Sequence, residues 1–365
     1  MKKERDSGIE LLRIFAMLMV IGVHVFLYGD YFEEACEYKG AIYRSAHFMK
    51  LFFRPAVNTY VIITGYFMVH AEFDLKRSYK RLFSLYGVIY FYSVVLGIIF
   101  FAARENFESK FSDFSVFWKM FFPLTSQNWY FLTDYILLCL FAPFINIILQ
   151  NITKKDYKIL IILLTLLMSI WMSLTNIEPL SKVLSDYGYG EIADGKNVFS
   201  FIYIYILGGY AGMHIKTRKR PRIIYLAAAF LCVWINYFIW MNFDEVLDYS
   251  HVAISYANPF VILTAVFLLL FFKDLHFYSK FVNMLASTTI GIYVLHEMEF
   301  MRNFIWEKLS FTNVDCSNLT INILRIITIL FAIFLTGAII ELIRQQIFNI
   351  IKSLFSIRRT EAERV

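Results

Sequence analysis

The chain has 365 residues, of which 59% are apolar and 18% charged, and its net charge is +6. Soluble domains run at about 25% charged residues, and apolar runs long enough to cross a bilayer recur here from one end to the other, which excludes a soluble globular enzyme. No basic block stands apart from a helix end, so the positive charge belongs to membrane topology and nucleic acid is excluded as a partner.

Met1-Lys2-Lys3-Glu4-Arg5 forms a basic flank, but the apolar stretch behind it is ~20 residues long and no small-x-small cleavage site follows, so the first helix is expected to stay in place. Ten spans are predicted, at 9–28, 51–70, 83–103, 128–149, 158–176, 198–215, 223–242, 253–272, 282–300 and 320–343. The expected fold class is therefore all-α, a polytopic integral membrane protein with about ten transmembrane helices. Residues 7–345 form one transmembrane domain and 346–365 a basic tail. Basic residues alternate with acidic loops: Lys2, Lys3, Arg5, then Lys76, Arg77, Lys80, Arg81, then Lys154, Lys155, Lys158, then Lys216 to Arg222 on one side; Asp30 to Glu34, Glu178 to Asp194 and Asp244-Glu245 on the other. The positive-inside rule then places both termini in the cytoplasm.

The first span holds Glu10, Arg13 and His24 in an otherwise apolar stretch. Glu10 and Arg13, three residues apart, can pair. Arg13 and His24 are eleven residues apart, which returns almost to the starting azimuth, so they share a face roughly 16 Å apart along the axis. An ionisable pair in hydrocarbon costs several kcal/mol, which makes function the default reading; a snorkelling anchor and a satisfied interior histidine are the plainer ones.

Further along, Asn58 lies in the second span and Arg77, Lys80 and Arg81 follow it. Trp129 opens the fourth span and Asp134 lies inside it, while His296 and Glu297 sit near the outer end of the ninth. Asp134 is open to reading as a group that orients a histidine, and Asn58 and Asp134 alike as cavity-lining groups or as helix–helix contacts. Glu341 has Arg344 or Arg325 as candidate partners. Of the four cysteines, Cys139 and Cys232 fall in apolar helices, and Cys36 and Cys316 in outer loops where one disulfide is conceivable. No cysteine set has metal-ligand spacing, and no metal is expected.

Several of these segments resemble the membrane acyltransferase-3 family: Glu10-x-x-Arg13 with His24 beyond it; Asn58 through Thr64-Gly65-Tyr66-Phe67; the basic Arg77-x-x-Lys80-Arg81; Trp129-Tyr130-Phe131-Leu132 through Ala142-Pro143-Phe144; and Ile290-Gly291-Ile292-Tyr293 through His296. The resemblance covers roughly residues 7–345. It implies an O-acyltransferase that moves an acyl group, usually acetyl, from cytoplasmic acetyl-CoA to a hydroxyl of a surface polysaccharide or its lipid-linked precursor in a bacterial cell membrane. Under that reading His24 is the general base, supported by Glu10 and Asp134. Arg13, Arg77, Lys80 and Arg81 meet the phosphates of CoA, and Asn58, Trp129, His296 and Glu297 meet the acceptor. Where the family often has two arginines three apart, this chain has Arg77-x-x-Lys80, which leaves Arg77 and Arg81 as the preferred pair. Direct transfer and an acyl-histidine relay both stay open, as do the acyl group and a homo-oligomeric state.

Two rivals remain. A second class of membrane acyltransferase uses a buried histidine, a part His296 can play, though Arg13 and His24 are then unexplained. A transporter or flippase suits ten spans, but no repeated half or broken helix pair is evident in the sequence. The His-x-x-x-x-Asp motif of soluble acyltransferases is absent, since Gly29 stands where the aspartate belongs.

Overall fold

The computed structural model describes residues 7–103, 118, 120–126, 130–184, 194–312 and 314–362, and every regular element among them is helical. Among the described residues six helices are long and apolar enough to span a membrane: α1 (Ser7–Leu27), α5 (Leu75–Ala103), α6 (Tyr130–Asn151), the run from Lys154 to Leu174 that begins as α7 (Lys154–Thr165), α9 (Ile223–Leu247) and α14 (Leu319–Ala362). Two shorter apolar helices are α8 (Val198–His214) and α10 (Pro259–Phe272). This is a multi-pass membrane protein. Between α1 and α3 (Ala41–Phe53) lies the short α2 (Tyr31–Cys36).

The two remaining expected spans are broken rods. α3 stops before Arg54-Pro55, and α4 (Ala56–Met68) restarts beyond it, because proline cannot supply the N–H that would continue the ladder. The expected 282–300 span is three pieces, α11 (Lys280–Ala286), α12 (Thr289–Glu297) and α13 (Glu299–Leu309). The second break places Glu297 and Met298 at a helix junction, where side chains leave the regular face.

Glycine sets the closest helix contact. A Cβ on Gly65 would run into the Tyr205 carbonyl of α8, and one on Gly208 into the Ile62 carbonyl of α4, so the two backbones touch as small-residue membrane interfaces allow. At the far end of α4, Asn146 Nδ2 donates to the Met68 carbonyl at 2.7 Å, and Gln150 Nε2 donates to those of Val69 and Ala71 at 2.7 and 3.1 Å. These bonds satisfy the carbonyls a helix C-terminus leaves orphaned. Overpacking typically costs about 1–3 kcal/mol or more. Gly208→Leu should therefore lower the thermal midpoint of the detergent-solubilised protein, whereas Gly87→Leu, at a position with nothing within 4 Å, should leave it unchanged.

The register of α1 is pinned at its start. Ser7 N donates to the Phe277 carbonyl at 2.9 Å, Ser7 Oγ donates to Asn283 Oδ1 at 2.9 Å, and a Cβ on Gly8 would strike the Leu275 carbonyl. The N-terminus of α1 is thus fixed against α11, and both segments run on in the same direction from that tie. His24 and His296 meet at the other end.

Candidate active site

His24 Nδ1 lies 3.0 Å from His296 Nε2 and 3.3 Å from Glu297 Oε2. All three residues are buried, at 8%, 3% and 5% exposure. The other Glu297 oxygen, Oε1, accepts from Tyr28 OH at 3.2 Å and from Arg302 at 3.2 Å, and the Arg302 guanidinium lies 4.7 Å from the Tyr28 ring centroid. Tyr28 is one turn beyond His24, and its ring stands 5.3 Å from the imidazole. One carboxylate therefore ties the end of α1 to the junction of α12 and α13.

Hydrogen-bond bookkeeping fixes the tautomers. His296 Nδ1 is 2.6 Å from the Ile292 carbonyl, which can only accept, so Nδ1 carries the proton and Nε2 a lone pair. That lone pair faces His24 Nδ1, which must then be the donor. His24 is left with its own lone pair on Nε2, the arrangement a general base requires. His24, His296 and Glu297 also offer three donor atoms within 4.8 Å of one another, a set a divalent cation can accept. Metal binding here would first have to remove the proton His24 shares with His296.

About eleven residues back along α1, Arg13 pairs with buried Glu10 at 2.8 Å. The guanidinium lies 5.8 Å from the Phe67 ring centroid and within electrostatic reach of Tyr60 and Tyr135, while the Arg13 carbonyl accepts from Tyr60 OH at 2.9 Å. Tyr135 and Thr64 share a hydrogen bond of 3.0 Å, and Tyr135 forms one wall of a cavity of about 250 Å³ also lined by Glu72, Ser78, Arg81, Cys139 and Ile290. Arg81 thus faces the same region as Arg13. Arg77 and Lys80 are exposed on the first turns of α5, and the Arg77 backbone N–H caps onto Asp74 at 2.9 Å.

The other expected site residues are placed differently. Glu10 lies roughly 21 Å along α1 from His24 and holds Arg13. Asp134 is partly exposed, has Asp194 as its electrostatic neighbour, and among the described residues bonds neither histidine. Asn58 is buried and donates to the Tyr256 carbonyl at 2.9 Å. Trp129 lies outside the described residues. Glu341 takes Arg344 as its partner and also accepts from Tyr92, whereas Arg325 donates to the Ser310 carbonyl. All four cysteines are free, Cys36 exposed and Cys316 buried.

Sequence reasoning named His296 and Glu297 but set them apart from His24, and it missed Tyr28 and Arg302. The missed pair had a legible signal: Tyr28 is four residues from His24, and Arg302 five beyond Glu297, just outside the drawn span.

No solved structure matches this chain. A protein of Enterococcus faecalis described as an amino-acid racemase is 24% identical over 308 residues, covering 81% of this chain and 41% of the relative. The chain therefore spans about two fifths of that relative's length. A family described as an acyltransferase domain matches residues 6–342, which takes in α1 with Arg13 and His24, the broken ninth segment and most of α14. With nearly its whole length matched, the chain belongs to the membrane acyltransferase-3 family.

Proposed function

We propose that this protein is an O-acyltransferase that moves an acyl group, acetyl in the first instance, from cytoplasmic acyl-CoA to a hydroxyl of an envelope carbohydrate or its lipid-linked precursor. The observation that carries the reading is the fixed tautomer of His24, held from behind by His296 and Glu297 with Nε2 left basic. The single transmembrane domain spans residues 7–345 and crosses a bacterial cell membrane ten times, with the broken segments serving as the second and ninth spans and both termini cytoplasmic.

The two polar ends of α1 divide the work. CoA is polyanionic, and Arg13 with Arg81 at the cavity, backed by Arg77 and Lys80, offers cations suited to phosphate. The pantetheine arm then lies along α1 toward His24. In the transfer step His24 Nε2 takes the acceptor hydroxyl proton as that oxygen attacks the thioester carbonyl. The tetrahedral adduct collapses with loss of the CoA thiolate, and His24 returns the proton to the sulfur. Glu297 faces the imidazolium that forms in between, the role of the third member of a catalytic triad. The racemase name attached to the E. faecalis protein is not carried over, because only two fifths of that protein is matched.

Purified protein in nanodiscs should bind acetyl-CoA and hydrolyse it slowly. Arg13→Ala or Arg81→Ala should weaken binding roughly ten- to hundredfold, the worth of a hydrogen bond to a charged group, as read by calorimetry. A wild type that binds no CoA would remove the acyltransferase reading and make substrate transport the next assay.

A further inference from the structure

Arg54 stands at the break between α3 and α4. It sits level with the His24 end of α1, because its neighbour Phe53 packs on Gly22 and on the Phe26 ring at 6.1 Å. Its guanidinium lies 3.8 Å from the centroid of Tyr256. Its Nε is shielded from solvent and meets no hydrogen-bond acceptor among the described residues. Arg13, Arg302 and Arg344 each hold a carboxylate, and Lys50, one turn before Arg54, has Glu33 in electrostatic reach. Among the described residues no carboxylate is paired with Arg54.

Arg54 is half-buried, and its shielded Nε calls for an acceptor that stacking on one tyrosine does not supply. The surroundings are built rather than incidental. Asn58 fixes the Tyr256 backbone, the Tyr130 ring lies 6.2 Å from that of Tyr256, and Tyr293 neighbours both. Tyr293 also packs edge-on against His296 at 5.9 Å. Arg54, Tyr256, Tyr130 and Tyr293 therefore form a chain of neighbouring side chains that ends at the histidine pair.

We propose that Arg54, stacked on Tyr256 and flanked by Tyr130 and Tyr293, binds an anionic group, carboxylate or phosphate, on the acceptor. The guanidinium fork matches either anion in bidentate fashion, and Tyr130, the partly exposed one of the three tyrosines, offers a ring face and a hydroxyl to the rest of the molecule. Calling the ligand the acceptor rests on the acyltransferase reading; the anion site itself does not.

The test is calorimetry on the full-length protein in nanodiscs with three probes: methyl glucuronide, glucose 1-phosphate and methyl glucoside. Wild type should bind at least one charged sugar ten-fold or more tighter than the neutral one, and the probe preferred tells carboxylate from phosphate. Arg54→Gln should abolish the preference and Arg54→Lys should keep part of it, with thermal unfolding confirming that both variants fold. Equal binding of charged and neutral probes by wild type, or a preference that survives Arg54→Gln, would overturn the proposal. Acetyl-CoA binding by wild type, measured in the same preparation, judges the acyltransferase reading separately.

Discussion

His24→Ala should retain acetyl-CoA binding near the wild-type level and lose transfer and slow thioester hydrolysis by roughly 10²–10⁴-fold, the usual contribution of a positioned general base. The separation follows from distance. The cations at Arg13 and Arg81 lie at the other end of α1, so truncating the imidazole leaves the phosphate contacts intact. His24→Gln sharpens the test, because an amide can still donate to His296 Nε2 but cannot take a proton from a hydroxyl. Both variants should be equally inert. A glutamine variant with substantial turnover would mean that His24 positions the substrate and that the proton goes elsewhere. Single-turnover mixing of labelled acetyl-CoA with each variant, read as CoA release, measures the effect directly.

The parts of this fold that were legible in the sequence are those governed by composition and period. Helical class and the long spans follow from apolar length, and the Glu10–Arg13 pair follows from i,i+3 spacing within one helix. What depends on chain breaks was not legible. Pro55 is visible, yet the hydropathy of 51–70 reads as one rod, whereas the stacking of Arg54 on Tyr256 comes at the junction where α3 and α4 separate. Likewise 282–300 looked like one weak span, whereas its breaks at the start of α12 and at Met298 swing Glu297 and Arg302 toward α1.

Long-range pairing was the second limit. His24 and His296 are 272 residues apart, and no periodicity within one helix can join them. The clamp that does so, Ser7 with Asn283 and Gly8 against Leu275, uses small residues whose role shows only once two backbones meet. Asp134, an acid inside a span, reads from sequence as a group that orients a histidine, lines a cavity or packs between helices. The structure gives the position beside His24 to Glu297, which the sequence suggested for acceptor binding.

Glu297→Gln and Glu297→Ala should fail in different ways, and the difference tests the whole constellation. Glutamine keeps the side-chain volume but removes the negative charge facing His24 Nδ1, so the imidazolium formed during transfer loses its stabilising partner. The expected result is a kcat lowered by roughly 10²-fold or more with little change in KM for acetyl-CoA. Alanine goes further, since Arg302, whose side chain is 14% exposed, would lose its carboxylate partner, a defect that reaches about 3–5 kcal/mol in a fully buried pair and is smaller here. The alanine variant should therefore show a clearly lower thermal midpoint as well as lost turnover. Because Glu297 acts through His24, adding Glu297→Gln to His24→Ala should lower the residual rate no further, as residues that work as a unit are non-additive. An additive double variant would place Glu297 on an independent task, such as holding Arg302 for the acceptor, and would leave His296 alone to orient the base.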